Sequence, residues 1–167
     1  PGTVSRGRLI LRLLRPFSAI APALALALGL VAGSGAGAEE LVAHRIVDDS
    51  RIDQSLTGAP GDAARGREVA FNTKQGNCLA CHKMPIPEQQ FHGDVGPDIS
   101  EVGSALSEGE LRLRIVNAKV LNPDTIMPAF YRNDSFQRVM KKFQGKTILS
   151  AQQVEDVVAY LLTLKGN

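Results

Sequence analysis

Cys78-Leu79-Ala80-Cys81-His82 constrains this chain more than any other stretch. Two thiols lie two residues apart, and an imidazole directly follows the second. Cys-x-x-Cys-His is the attachment pattern for c-type haem. The two-residue spacer lets both sulfurs reach the vinyl groups on one edge of the macrocycle, and the adjacent histidine can then reach the iron. The 167 residues contain only these two cysteines, so thioether attachment uses every thiol. A structural disulfide is the plain competitor, and the adjacent histidine argues against it. A zinc site needs about two further ligands, and the other histidines are only His44 and His92, with no second cysteine pair. A thioredoxin-like dithiol expects strand-helix-strand surroundings, which this sequence does not offer.

The front of the chain places the motif in a compartment. Arg6, Arg8, Arg12 and Arg15 precede an apolar stretch from Phe17 to Ala32, and the small-residue run Gly33-Ser34-Gly35-Ala36-Gly37-Ala38 follows. This pattern predicts a secretory signal peptide over residues 1–38, cut before Glu39. The uncharged apolar part falls short of the ~20 residues that span a bilayer and holds Pro22 and Gly29, so a retained anchor is disfavoured. No cysteine near the cut suggests a lipid anchor. Because the first residue is Pro1 rather than Met, the leader is expected to begin further upstream. Removal of residues 1–38 takes the formal charge from +2 to −2, with 15 basic against 17 acidic residues remaining. The basic residues left behind are mixed with acids, which does not support a nucleic-acid-binding face.

Residues 39–60 are polar without a sustained period and read as an N-terminal extension that packs loosely or reaches toward a partner. Residues 61–167 read as the folded domain. Asp62 is placed to cap a helix running through Val69 and Phe71 into the Cys78–His82 motif, with Gly76 as its terminator. The density of proline and glycine from Lys83 to Gly103 predicts a wrapping loop. Ser107 with Glu110 forms a capping box ahead of Leu111 and Ile115, for a second helix ending before Asn122-Pro123. Phe136, Val139, Met140 and Phe143 sit at i, i+3, i+4 and i+7, which predicts a short third helix. Ser150 with Gln153 forms another capping box for a last helix whose apolar face is Val154, Val157, Val158 and Leu161, ending near Gly166. No alternating strand pattern of useful length occurs, so the expected class is all-α.

With His82 as the proximal ligand, three methionines compete for the opposite axial position. Met84 lies two residues from His82, and a reach of at most ~7 Å cannot carry the chain to the other haem face. Met140 belongs to an apolar stripe, where methionine is more often filler. Met127 lies in the proline-bounded segment Pro123-Asp124-Thr125-Ile126-Met127-Pro128 and is the best placed, with His92 or His44 next in line. A histidine and a methionine together favour reduced iron and a relatively high potential. An iron-bound imidazole usually donates its other ring N–H to a backbone carbonyl, and Pro97 is the expected acceptor.

The helix before Cys78–His82, the Gly96-Pro97 turn, the Met127-Pro128 segment and the closing Val157-Val158-Ala159-Tyr160-Leu161 helix together resemble a class I cytochrome c domain over residues 61–166. More narrowly, Gly76-Asn77-Cys78-Leu79-Ala80-Cys81-His82, Gly96-Pro97-Asp98-Ile99, Glu110-Leu111-Arg112-Leu113-Arg114-Ile115, and Asn122-Pro123 through Met127-Pro128-Ala129-Phe130 are similar to the SoxX family. These are the monohaem subunits of the SoxAX cytochromes of thiosulfate-oxidising bacteria. The resemblance implies one covalently bound haem c in a helical fold with an N-terminal extension. It also implies a periplasmic heterodimer with a SoxA-like dihaem or monohaem subunit.

In that family, thiosulfate is oxidatively joined to a cysteine of the SoxYZ carrier protein, an L-cysteine S-thiosulfotransferase reaction. The electrons leave through the SoxX haem toward a downstream acceptor. Its histidine and methionine ligands fall on His82 and Met127, with the Pro97 carbonyl accepting from His82. The family's sulfur chemistry uses a free cysteine on the SoxA haem. Here both cysteines are consumed by thioethers, so the chain is expected to supply no catalytic residue and to act only as the electron acceptor. The alternative is a free periplasmic monohaem cytochrome that shuttles electrons between other partners. A haem sensor or peroxidase-like protein would need an open sixth position.

Overall fold

The computed structural model describes Gly2 and residues 40–166. The chain divides into two compact units, Pro1–Ser34 and Gly35–Asn167, and the second holds everything described below. The leader expected over residues 1–38 lies outside the described residues apart from Gly2. Among the described residues, no helix is long and apolar enough to cross a membrane.

Four helices carry the fold: α1 (Ala63–Phe71), α2 (Val102–Ala105), α3 (Glu108–Asn117) and α4 (Ala151–Thr163). Short 3-10 turns lie at Cys78–Ala80, Ala118–Val120 and Lys141–Phe143. Extended pairing among the described residues is a single antiparallel bridge, Val47 to Arg51. The all-α expectation therefore holds, and its capping residues act as the sequence implies. Asp62 accepts the Arg65 N–H at 2.9 Å. Both Ser107–Glu110 and Ser150–Gln153 close reciprocal capping boxes. Each satisfies two orphan amides that would otherwise face an unfavourable environment.

The core forms where α1 crosses α4. A Cβ on Gly66 would collide with the Asp156 carbonyl oxygen of α4, so only glycine permits the two backbones to approach this closely. Val69 and Ala70 of α1 meet Val154, Val157, Val158 and Leu161 of α4 in one buried cluster with Leu111, Leu113, Ile115 and Val116 of α3. The crossing places the C-terminal end of α1, and hence the Cys78–His82 turn, against this core.

Several expectations are corrected. The Phe136–Phe143 stripe does not form a helix. Its residues run through an open loop with only the Lys141–Phe143 turn, and Ser135 and Arg138 adopt left-handed backbone angles. Phe136, Met140 and Phe143 remain 42%, 62% and 53% exposed. No surface takes up the stripe, and so short an isolated helix is marginal in water. α1 ends at Phe71 with Asn72 as its cap, before Gly76 is reached, and α4 ends at Thr163, three residues before Gly166. The wrapping loop ends before Val102, so Gly103, expected to be its last residue, lies inside α2.

The extension also packs more firmly than its polarity suggests. Ile52 and Leu56 are buried in the core cluster. The Ile52 N–H donates to Gly109 O at 3.0 Å, and the Leu56 N–H donates to the buried Glu155 carboxylate at 2.8 Å.

Candidate functional site

Asn77 adopts φ +47°, a left-handed angle that asparagine tolerates better than most residues. It turns the chain out of α1's path, and the motif then winds into a single tight turn. Within it the Cys81 N–H donates to Cys78 O at 3.1 Å and the His82 N–H to the same carbonyl at 2.9 Å. Both cysteines are unpaired thiols. Burial pushes the Cys78 thiol up to about 11, so at neutral pH it is an uncharged sulfur. That is not the low-pKa thiolate of a reactive or redox cysteine.

The following loop is fastened to this turn by three backbone bonds. Gly93 N–H donates to Leu79 O at 2.7 Å, Gly96 N–H to Cys81 O at 2.8 Å, and Ile99 N–H to Lys83 O at 3.0 Å. The fastening sets Pro97 and Gly96 against His82. The His82 Nδ1 lies 2.8 Å from the Pro97 carbonyl oxygen. A carbonyl only accepts, so Nδ1 carries the proton and Nε2 keeps its lone pair free for a metal. Gly96 lies against the ring: a Cβ there would stand 2.7 Å from Nδ1. The imidazole is thus fixed in rotation by a hydrogen bond and in position by a missing side chain.

Cys78, Cys81 and His82 form one edge of a cleft of about 660 Å³, within the ~300–1,000 Å³ range of cofactor sites. Its walls are mainly apolar: Ile99, Val102, Leu106, Leu111, Ile115 and Phe130 are among them. Met127 lies on the same lining. It is carried there by a turn in which Thr125 N–H donates to Asn122 O at 3.1 Å and Met127 N–H donates to Thr125 Oγ1 at 3.2 Å. Downstream, Phe130 and Tyr131 donate to Ile115 and Val116 carbonyls at the end of α3. The segment over residues 122–131 is therefore pinned to α3 while its middle reaches the cleft.

The competing residues are elsewhere. Met84 is a core residue at 2% exposure, and Met140 projects from the surface loop. His92 uses both ring nitrogens locally, with Nε2 donating to Gln89 O at 3.0 Å and Nδ1 accepting the Met84 N–H at 3.3 Å. His44 bonds Val42 O and lies near Tyr131, off the cleft lining.

Sequence reasoning missed Arg114, a cation on the cleft lining. The signal was present: Leu111, Arg114, Ile115 and Ala118 sit at i, i+3, i+4 and i+7, so the charge falls inside the apolar stripe of α3.

An apolar cleft with two thiols and one tautomer-locked imidazole along one edge defines a covalent haem-binding protein of the electron-transfer class. The chain belongs to the cytochrome c family, whose model matches residues 63–165, and it carries a covalently bound haem c. Among solved structures it is similar to a chain in the crystal structure of SoxXA from P. pantotrophus, at 40% identity with a TM-score of 0.68. That likeness covers 74% of this chain and 95% of the other. No curated protein matches the chain in sequence.

Proposed function

We propose that this chain is the haem-bearing, electron-accepting subunit of a SoxXA-type enzyme of thiosulfate oxidation. The observation that carries the reading is the 40% identity to a chain of SoxXA, spanning nearly all of that chain. In this reading residues 1–38 are an export signal, residues 39–60 an extension and residues 61–167 the cytochrome domain, and the protein works in the periplasm. A SoxA-like subunit supplies the sulfur chemistry on a SoxYZ carrier cysteine, and this chain takes up the electrons and hands them to a downstream acceptor.

The residues divide the work. Cys78 and Cys81 fix the haem edge by thioethers. His82 offers Nε2 to the iron with Nδ1 held by Pro97, which keeps the ligand from rotating during electron transfer. Met127, on the same cleft lining, would offer its thioether sulfur to the iron. The bound haem contributes one-electron chemistry at a relatively high potential under such ligation. The apolar walls exclude water and leave little to reorganise when the charge changes.

The test is to produce the haem-loaded chain, mix it with a SoxA-type subunit and follow size exclusion with the haem spectrum. A stable pair with a low-spin spectrum, reduced by thiosulfate only when SoxYZ is present, supports the reading. A monomer that ignores SoxA transfers the assignment to a free electron shuttle. Met127→Ala tests the ligand separately: it should lose the low-spin methionine signature and bind carbon monoxide rapidly when reduced, and an unchanged spectrum would remove Met127 from the iron.

A further inference from the structure

Ligation by Met127 requires residues 122–129 to stay closed over the cleft, and little within the segment holds them there. Asn122, Pro123, Asp124, Ile126 and Pro128 are exposed. Ala129 is buried, and Met127 packs partly against the core. A stretch with few buried apolar contacts opens locally with little free energy. The segment's own hydrogen bonds are short-ranged. Asp124 N–H donates to Asn122 Oδ1 at 3.1 Å, Thr125 N–H to Asn122 O at 3.1 Å, and Met127 N–H to Thr125 Oγ1 at 3.2 Å. All three survive if the segment swings outward as a unit.

One bond does not survive such a movement. Lys119 lies in the Ala118–Val120 turn that continues α3, and its Nζ donates to the Thr125 carbonyl at 2.6 Å. Among the described residues, this is the one hydrogen bond that ties residues 123–129 to any residue beyond Asn122. The ammonium is half-buried and sits at the C-terminal end of α3, where the helix dipole favours a cation. A hydrogen bond with an ionised donor is roughly twice as strong as one between neutral groups. The middle of an otherwise weakly held segment is therefore fastened at a single point, two residues before Met127.

We propose, resting on the ligation by Met127, that Lys119 is the positioning residue that latches this segment over the second axial position and keeps external ligands off the iron. Thr125 is the shared part: its carbonyl accepts from Lys119 and its hydroxyl oxygen accepts the Met127 N–H. Outward movement of the segment breaks the Lys119 bond and withdraws the Met127 sulfur together. With the latch closed, the sixth position is occupied and the haem is limited to electron transfer. Without it, the open fraction grows and small ligands reach the iron.

The test compares the haem-loaded chain with its Lys119→Met and Lys119→Arg variants. Each is read by the methionine signature of its oxidised spectrum and by the rate at which the reduced protein binds carbon monoxide, with thermal unfolding followed by circular dichroism alongside. Carbon monoxide reaches the iron only while the segment is open, so its rate reports the open fraction. Lys119→Met should bind it about tenfold faster or more, the factor that goes with losing a hydrogen bond to a charged group, with thermal unfolding little changed. Lys119→Arg keeps a charged donor and should return most of the wild-type rate. A lysine that only added general stability would shift the melting without opening the iron. Equal carbon monoxide rates in wild type and Lys119→Met, both with the methionine signature, overturn the latch and leave Met127 on the iron. A wild type that lacks the signature and binds carbon monoxide rapidly overturns the ligation and the latch together. If Lys119→Met fails to fold, Lys119→Gln is judged by the same criterion.

Discussion

Replacing Glu155 with alanine should cost this fold about 3–5 kcal/mol, because it strands a buried guanidinium. Glu155 and Arg112 are 3% and 1% exposed. Arg112 Nε donates to Glu155 Oε1 at 2.9 Å and Nη2 to Oε2 at 2.9 Å, a two-pronged pair. Burial alone would lower the Arg112 pKa, but the Glu155 and Glu108 carboxylates outweigh it and hold it above its ordinary value. The truncation also removes the acceptor of the Leu56 N–H at 2.8 Å, an orphaned donor worth a further ~1–3 kcal/mol. Against these losses, Arg112 retains Ile52 O at 2.7 Å and the more exposed Glu108, which keeps the total nearer the lower sum.

The expected loss is a large part of the ~5–15 kcal/mol that holds a typical domain, and at ~4 °C per kcal/mol it lowers Tm by roughly 12–20 °C. Urea unfolding of the haem-loaded protein, followed by far-ultraviolet circular dichroism, measures it. The double variant Arg112→Met/Glu155→Met should recover at least half of the loss, since the buried charge leaves with its partner. A loss below ~1 kcal/mol for Glu155→Ala, or a double variant no more stable than the single, would refute the claim that an unpaired buried charge sets the cost.

Other sites give separate checks. Gly66→Ala should destabilise by about 2 kcal/mol, because the new methyl meets the Asp156 carbonyl across the α1–α4 crossing; overpacking of this kind outweighs the ~1 kcal/mol that alanine gains in a helix, and a neutral result in the same urea assay would show that the helices can part freely. Gly96→Ala should push the His82 ring off the Pro97 carbonyl and appear as a shifted haem spectrum or a changed midpoint, whereas a spectrum and potential identical to wild type would mean the imidazole is held by something else. Asp156 is desolvated, which raises its pKa, but the Arg65 guanidinium, the Asp62 amide and Gln152 overcome this and hold it below the ordinary carboxylate value. Its pairing therefore adds stability above its unfolded pKa of ~3.9, and that stability drains as pH falls through the lower folded value. Asp156→Asn should flatten the acid limb of a Tm-versus-pH curve, and an unchanged limb would assign acid unfolding to other carboxylates.

The features that were legible in the sequence are those whose physics is local. Asp62, Ser107 and Ser150 cap helices because their side chains reach amides two or three residues ahead, and that reach is fixed by the chain itself. The Cys78–His82 spacing was legible for the same reason. The Phe136–Phe143 stripe failed because a helical pattern specifies a helix only where another surface covers its apolar face. Here Phe136 and Phe143 instead have Arg132 and Lys142 over their rings at 5.4 and 4.8 Å. The firm packing of residues 40–60 was equally invisible, since Ile52 and Leu56 are single apolar residues in polar surroundings. Their burial depends on the Arg112–Glu155 pair, whose members lie 43 positions apart.

That dependence ties the extension to the haem site. α3 presents Arg112 to the extension and to α4 on one side, and Leu111, Arg114 and Ile115 to the cleft on another. One helix therefore braces the N-terminal segment and forms a wall of the cofactor cleft. α3's last turn also receives the amides of Phe130 and Tyr131, which fix the segment bearing Met127. An electron carrier needs its ligand positions to stay put when iron changes charge. Under the proposed ligation, the His82 side is held by the Gly93, Gly96 and Ile99 amides, and the Met127 segment by the end of α3. Because α3 is itself clamped by the buried pair, loosening Arg112 or Glu155 should be felt on the Met127 side of the cleft before the His82 side, whose fastenings lie within residues 79–99.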